Sequence, residues 1–262
     1  MVNERVILRK SAKIVGLTLG LCLATSLPAQ VAQVDYASLT GTESVSFSSL
    51  AGGAAPGTNY DSTLVVNGVA IGERFAGQAV TALGNFDQLG GSPSGPLTIL
   101  AGDPGHNLNV FQSPAGPVLS GVGTLGFPAN DAIGEGAVSF LFATNQSEFG
   151  FSLAGGNGGN AYVSLFRQDG SLISSFTLGS LPVIASFGFS RDGGVHDIHG
   201  VSIWNDDVTG FGIRAIRYDV SSVPEPASWS MMLFGFGAAG LALRRRGSRA
   251  ASAAGMGEVT PA

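Results

Sequence analysis

The sequence predicts an all-β fold, a β-sandwich of jelly-roll type. Three observations predict it. Forty of the 262 residues are glycine, a density that weakens helix interiors and suits a chain cut into short strands. Apolar and small polar residues alternate in several stretches, the period-two pattern of strands with one buried face. Turn signals recur about every ten residues, the spacing of sandwich strands.

The chain opens with Arg5, Arg9, Lys10 and Lys13, then an apolar run over 14–23, then Ser26-Leu27-Pro28-Ala29. This is the layout of a secretory signal peptide over residues 1–29, handed to the Sec machinery and cut after Ala29 by signal peptidase. Cys22 is the only cysteine, and Leu21 before it is too large for a lipoprotein signal. Cys22 therefore leaves with the signal, and the mature chain has neither thiol chemistry nor a disulfide.

Residues 33–222 form the working domain, long enough for one substantial core. Strands are expected over 44–50, 63–66, 73–81, 97–100, 108–112 and 118–120. Residues 85–96 lack periodicity and read as a loop. The second half is clearer, with strands over 137–143, 149–154, 161–168, 171–178, 183–190, 198–205 and 211–220. Asp169-Gly170, flanked by alternating hydrophobics, predicts a two-residue type I′ hairpin turn.

This domain holds five arginines, no lysine and fifteen acidic residues, a net charge of −10. Such a surface excludes binding to nucleic acid or anionic membrane by charge. Divalent cations and neutral sugars stay open, as does plain solubility. Asp206, Asp207 and Asp219, with Asp192 and Asp197 nearby, make the densest acid cluster. Calcium takes several such oxygens, while an Asx-rich turn uses the same residues for its own backbone. Trp204, with Tyr162, Tyr218 and Tyr60, offers ring faces on which a sugar could stack, or simply fills a half-buried strand position.

Other motifs point away from catalysis. His196 and His199 sit three apart, which on a strand places them on opposite faces. Gly121 to Gly126 follow the dinucleotide glycine spacing, but Phe127-Pro128 comes next where that motif needs a helix. There is no Gly-x-Ser-x-Gly elbow. Asp131, Glu135 and Glu148 are a carboxylate triplet of the kind any acidic domain contains. The expectation is a protein that is not an enzyme.

The C-terminal region reads Pro224-Glu225-Pro226, then an uncharged apolar stretch over 227–243, then Arg244-Arg245-Arg246. The prolines keep the chain extended. The apolar stretch gives roughly 25 Å of helix, the short end of a membrane span. The arginines stop it and mark the cytoplasmic side, which leaves 247–262 as a cytoplasmic, disordered tail. An ordinary anchor on a proline-rich stalk has these parts.

This three-part arrangement over residues 223–246 resembles the PEP-CTERM sorting signal of Gram-negative bacteria. The resemblance implies exosortase as a partner, cleavage near Pro224 to Pro226, and a producer of exopolysaccharide. The extension after Arg246 departs from the pattern. The stretches Glu73-Arg74-Phe75-Ala76-Gly77, Ala132-Ile133-Gly134-Glu135-Gly136-Ala137 and Val201-Ser202-Ile203-Trp204-Asn205-Asp206-Asp207 resemble a bacterial surface-protein family that often precedes this signal. That implies a lectin-like sandwich without supplying a function. Arg214 stands where those relatives usually carry Asp. The expectation is an exported, inner-membrane-anchored intermediate bound for the cell surface or matrix, structural or adhesive in role. The alternative is a carbohydrate-binding module, with calcium as its candidate cofactor.

Overall fold

The computed structural model describes residues 30–219. The expected signal peptide, Pro224-Glu225-Pro226, the apolar helix, Arg244 to Arg246 and the tail lie outside the described residues. No helix among the described residues is long and apolar enough to cross a membrane.

The described chain is almost entirely strand. In order the strands are β1 (Val31–Val34), β2 (Glu43–Ser46), β3 (Thr58–Tyr60), β4 (Leu64–Val66), β5 (Val69–Gly72), β6 (Arg74–Phe75) and β7 (Ala79–Leu83). There follow β8 (Phe86–Gly90), β9 (Ile99–Leu100), β10 (Leu108–Ser113), β11 (Gly116–Val122), β12 (Ile133–Gly136) and β13 (Val138–Gln146). The last are β14 (Glu148–Ala154), β15 (Ala161–Phe166), β16 (Leu172–Leu178), β17 (Ile184–Arg191), β18 (Ile198–Asn205) and β19 (Gly212–Tyr218).

Two sheets face each other. The larger runs β1-β17-β14-β19-β11-β10-β3, with β12 beside β11 and β2 beside β19. The smaller runs β16-β15-β18-β13-β5-β4. From β13 onward the chain passes back and forth between them. Each sheet supplies alternate side chains to a shared apolar layer, as sandwich packing requires. Its centre is aromatic. Phe149 of β14 lies within 6.0–6.4 Å, centroid to centroid, of Phe140, Phe142, Phe151 and Phe189. All five are buried.

Gln33, Phe189, Phe149 and Tyr218 form one row across β1, β17, β14 and β19. The described chain therefore enters and leaves at one end of the larger sheet, and the β18–β19 loop sits at the other.

A third, smaller layer covers part of the outer face of the six-stranded sheet. It consists of the ribbons β6–β9 and β7–β8 with their loops. Phe75 meets Phe166 edge-on, with centroids 5.8 Å apart, and packs with Leu97 in a second core. Gly200 of β18 makes this possible, because a Cβ there would lie 2.5 Å from Phe75 Cζ and 2.7 Å from Leu97 Cδ1. Beneath the layer Ser139 and Ser202 are buried and joined at 2.9 Å. Ser139 Oγ also lies 3.1 Å from the Glu73 carbonyl and Ser202 Oγ 3.3 Å from Gln78 Oε1, so the two hydroxyl protons are shared along this chain of oxygens.

Three local expectations are corrected. Residues 85–96 are not all loop, since β8 folds back on β7 through Gly84, whose φ is +65°. The strand expected over 73–81 is broken at Gly77, with φ +91°, into β6 and β7. At Asp169-Gly170 the hairpin stands, but its turn differs. Only Gly170 has positive φ, and the bonds run from Gly170 N to Arg167 O and from Arg167 N to Ser171 O. This is a three-residue loop closed by a glycine bulge. The tight turn with positive φ at both residues is instead Asn67-Gly68, between β4 and β5.

Candidate functional site

The β18–β19 loop presses against the β14–β15 loop, and two aspartates fasten them. Asp207 is fully buried. Its Oδ2 accepts from the amides of Asn157 at 2.7 Å and Gly159 at 2.9 Å, and its Oδ1 accepts from Thr209 N and Oγ1. Gly159 has no Cβ because one would collide with the Asp207 backbone. Asp206 accepts from Asn160 N at 2.7 Å, from Asn160 Nδ2, and from the Tyr162 hydroxyl at 2.8 Å. Partial burial works against its charge, but the Asn160 and Tyr162 donors outweigh it and hold the carboxyl below the usual range. The same bond to Asp206, with some burial, raises the Tyr162 hydroxyl.

The structure does not bring the three predicted aspartates together. Asp219 follows β19 at the opposite end of the sandwich, a strand length of roughly 20 Å away. There it accepts from the Ser147 amide and lies 3.3 Å from His196 Nδ1. Asp197 is also at that end, bound by Arg191 and Arg167 at 2.7–3.0 Å. Among the described residues no three His, Cys, Asp or Glu side chains are grouped to hold a metal ion. His199 turns to Asn145 at 3.0 Å, apart from His196.

Of the four aromatic candidates, two meet. Trp204 and Tyr162 are cross-strand neighbours on β18 and β15, stacked at 3.9 Å with planes 14° apart. Both are half-buried on the outer face of the sheet, beside Asp206 and Asn160. Tyr60 donates to the Ala51 carbonyl in the other sheet. Tyr218 is buried against Phe142.

Sequence reasoning missed a second locality. The third layer and the loop before β10 enclose a polar pocket of about 410 Å³. Glu73, Arg74, Asp87, Asp103, His106 and Thr124 are on its walls. Glu73 is ion-paired with Arg74. Asp87 is only 4% exposed. Burial and then the nearby Glu73 charge push its carboxyl up to about 7, against the opposing pull of the Ala137 amide. Glu73 is raised as well, mainly by burial. Behind the pocket, burial and then Asp131 push Glu135 up to about 7. Glu148, the third acid of the carboxylate triplet, is elsewhere, binding the amides of Thr40 and Gly41. The available signal was the Gly84-Asn85 pair, a turn signal that would have let residues 86–90 fold back on 79–83 and placed Asp87 on a strand.

Comparisons with known proteins bear on the C-terminal region more than on the described domain. A search of curated proteins finds none that matches this chain. Among solved structures, that of CsCBM6-3 from Clostridium stercorarium in complex with cellobiose is similar at 12% identity, over 44% of this chain and 82% of that one, with a TM-score of 0.27. A likeness that weak says nothing about a ligand. Residues 222–246 match the family described as the PEP-CTERM protein-sorting motif. The chain is thus a β-rich domain followed, at residues 222–246, by a PEP-CTERM protein-sorting motif.

Proposed function

We propose that this is a non-enzymatic protein of the cell surface or exopolysaccharide matrix, exported and then processed by exosortase near Pro224-Glu225-Pro226. The observation that carries the reading is the match over residues 222–246. The lysine-free, acidic domain supports it, since such a surface resists sticking to other anionic matter. In this reading the apolar stretch over 227–243 holds an inner-membrane intermediate, Arg244 to Arg246 stop it, and the sandwich is of jelly-roll type. The test is the intact mass of the mature protein from its host, beside a variant with Pro224, Glu225 and Pro226 all changed to Ala. Processing predicts a native chain ending near residues 222–226 and a variant that keeps the apolar stretch. Retention of that stretch in both would reduce the motif to an anchor.

A second reading is favoured by the Trp204–Tyr162 stack. Two parallel rings bordered by Asp206 and Asn160 combine an apolar face with hydrogen-bonding groups, the pairing that sugar rings use. Trp204→Ala is expected to abolish retention on the host's own polysaccharide while the melting temperature moves by only a few degrees. Undiminished retention would remove Trp204 from the reading.

A further inference from the structure

We propose that the pocket between Glu73, Asp87, Asp103 and His106 binds a primary ammonium carried on a small polyhydroxylated body, an amino sugar unit. The inference is independent of the sorting motif and of the Trp204 stack.

It rests on what the pocket contains and lacks. One Asp87 oxygen accepts from the Ala137 amide. The other, Oδ2, is buried and has no hydrogen-bond partner, although Asp87 is on the pocket wall. A buried acceptor without a donor is costly and uncommon. The one arginine on these walls, Arg74, is paired with Glu73. His106 Nδ1 lies 3.1 Å from the Gly123 carbonyl and donates to it, so that N–H is used within the wall. The walls therefore offer acceptors and negative charge. The complement is a ligand that brings N–H donors and positive charge.

Size and lining narrow the class. A volume of about 410 Å³ far exceeds an ammonium ion and suits a single sugar ring. Thr124 and Gln78 also line the pocket, and both can bond hydroxyls. A bare divalent cation fits less well, because no three acidic or histidine side chains among the described residues are grouped to hold one.

The test is isothermal titration calorimetry of the full-length chain at pH 7.5 with D-glucosamine, D-glucose and calcium chloride as separate probes. Glucosamine is expected to bind saturably, with glucose at least tenfold weaker because the charge-assisted bond is lost. Asp87→Asn is expected to abolish glucosamine binding while raising the melting temperature, since it removes a buried carboxyl. A merely structural role for Asp87 would move stability without touching affinity. Asp103→Asn, at the exposed rim, is expected to weaken binding severalfold and decides the matter if Asp87→Asn fails to fold. Glucosamine binding that both variants leave unchanged overturns the proposal. So do equal affinities for glucose and glucosamine, or calcium binding without glucosamine binding.

Discussion

The inner face of the six-stranded sheet is covered throughout and the outer face in part, and by opposite means. The inner face meets phenylalanines, and its contacts are non-directional and roughly proportional to apolar area. The outer face meets a layer that holds on through Gly200, three apolar side chains and a chain of serine hydroxyls, with Glu73 and Asp87 buried alongside. Each of those hydrogen bonds contributes only about 0.5–1.5 kcal/mol net. The inner face therefore determines whether the domain folds. In the outer layer Asp87 Oδ2 is buried without a hydrogen-bond partner, a cost that packing alone does not require.

Substitutions should separate the faces, beginning with the strongest. Phe149→Ala removes the ring around which four other phenylalanines are arranged. Equilibrium urea unfolding is expected to show a loss of about 3–5 kcal/mol. A loss below about 1 kcal/mol would mean that the aromatic centre is not the core. Gly200→Ala drives a Cβ into Phe75 and Leu97. It should cost about 1–3 kcal/mol by overpacking. Amide hydrogen exchange should rise in residues 73–106 and stay low in β14 and β17. Uniform loosening of both regions would show that the outer layer is not a separate unit.

The smallest effect is the pH dependence. Asp87 and Glu135 have folded-state values near 7, against ordinary values of 3.8 and 4.5, and Glu73 is raised too. A carboxyl raised on folding holds its proton more tightly in the folded state. Its contribution is complete below its unfolded value, near 4, and is lost as pH climbs through about 7. Melting temperature should therefore rise by several degrees from pH 8 to pH 5. The variant combining Asp87→Asn with Glu135→Gln should flatten that rise. Below about 4 the trend reverses, because Asp206 is lowered in the folded state and loses its contribution on protonation. A flat profile in the parent chain would show that the outer layer admits water freely to these acids.

The same contrast explains what was legible in the sequence. The strands around Phe140, Phe149, Val163 and Ile203 were readable, because each alternates against a single apolar layer. Ser139 and Ser202 looked solvent-facing by that rule and are buried, since alternation carries no information about a second cover. Asn67-Gly68 takes the two-residue turn with positive φ at both positions, whereas at Asp169-Gly170 Asp169 keeps negative φ and the loop takes an extra residue. The acid cluster at Asp206-Asp207 was visible, but its partners Asn157, Gly159 and Asn160 belong to another loop, so its role as a fastener was not. Asp219 lies at the far end because β19 runs its full length between Asp207 and Asp219, a separation that the expected strand over 211–220 already implied. Asp87 was hidden for the same reason as the serines: its pocket exists only once the third layer is folded down.

The row from Gln33 to Tyr218 has a consequence for display. Three strand spacings of about 4.8 Å put the incoming and outgoing ends of the domain only about 14 Å apart. A domain tethered through its C-terminal side would hang from that pole with its N-terminal end close to the tether. The opposite pole, with the loops around Asn160 and Asp206, would face outward at the full length of the sandwich, where an incoming polymer arrives first.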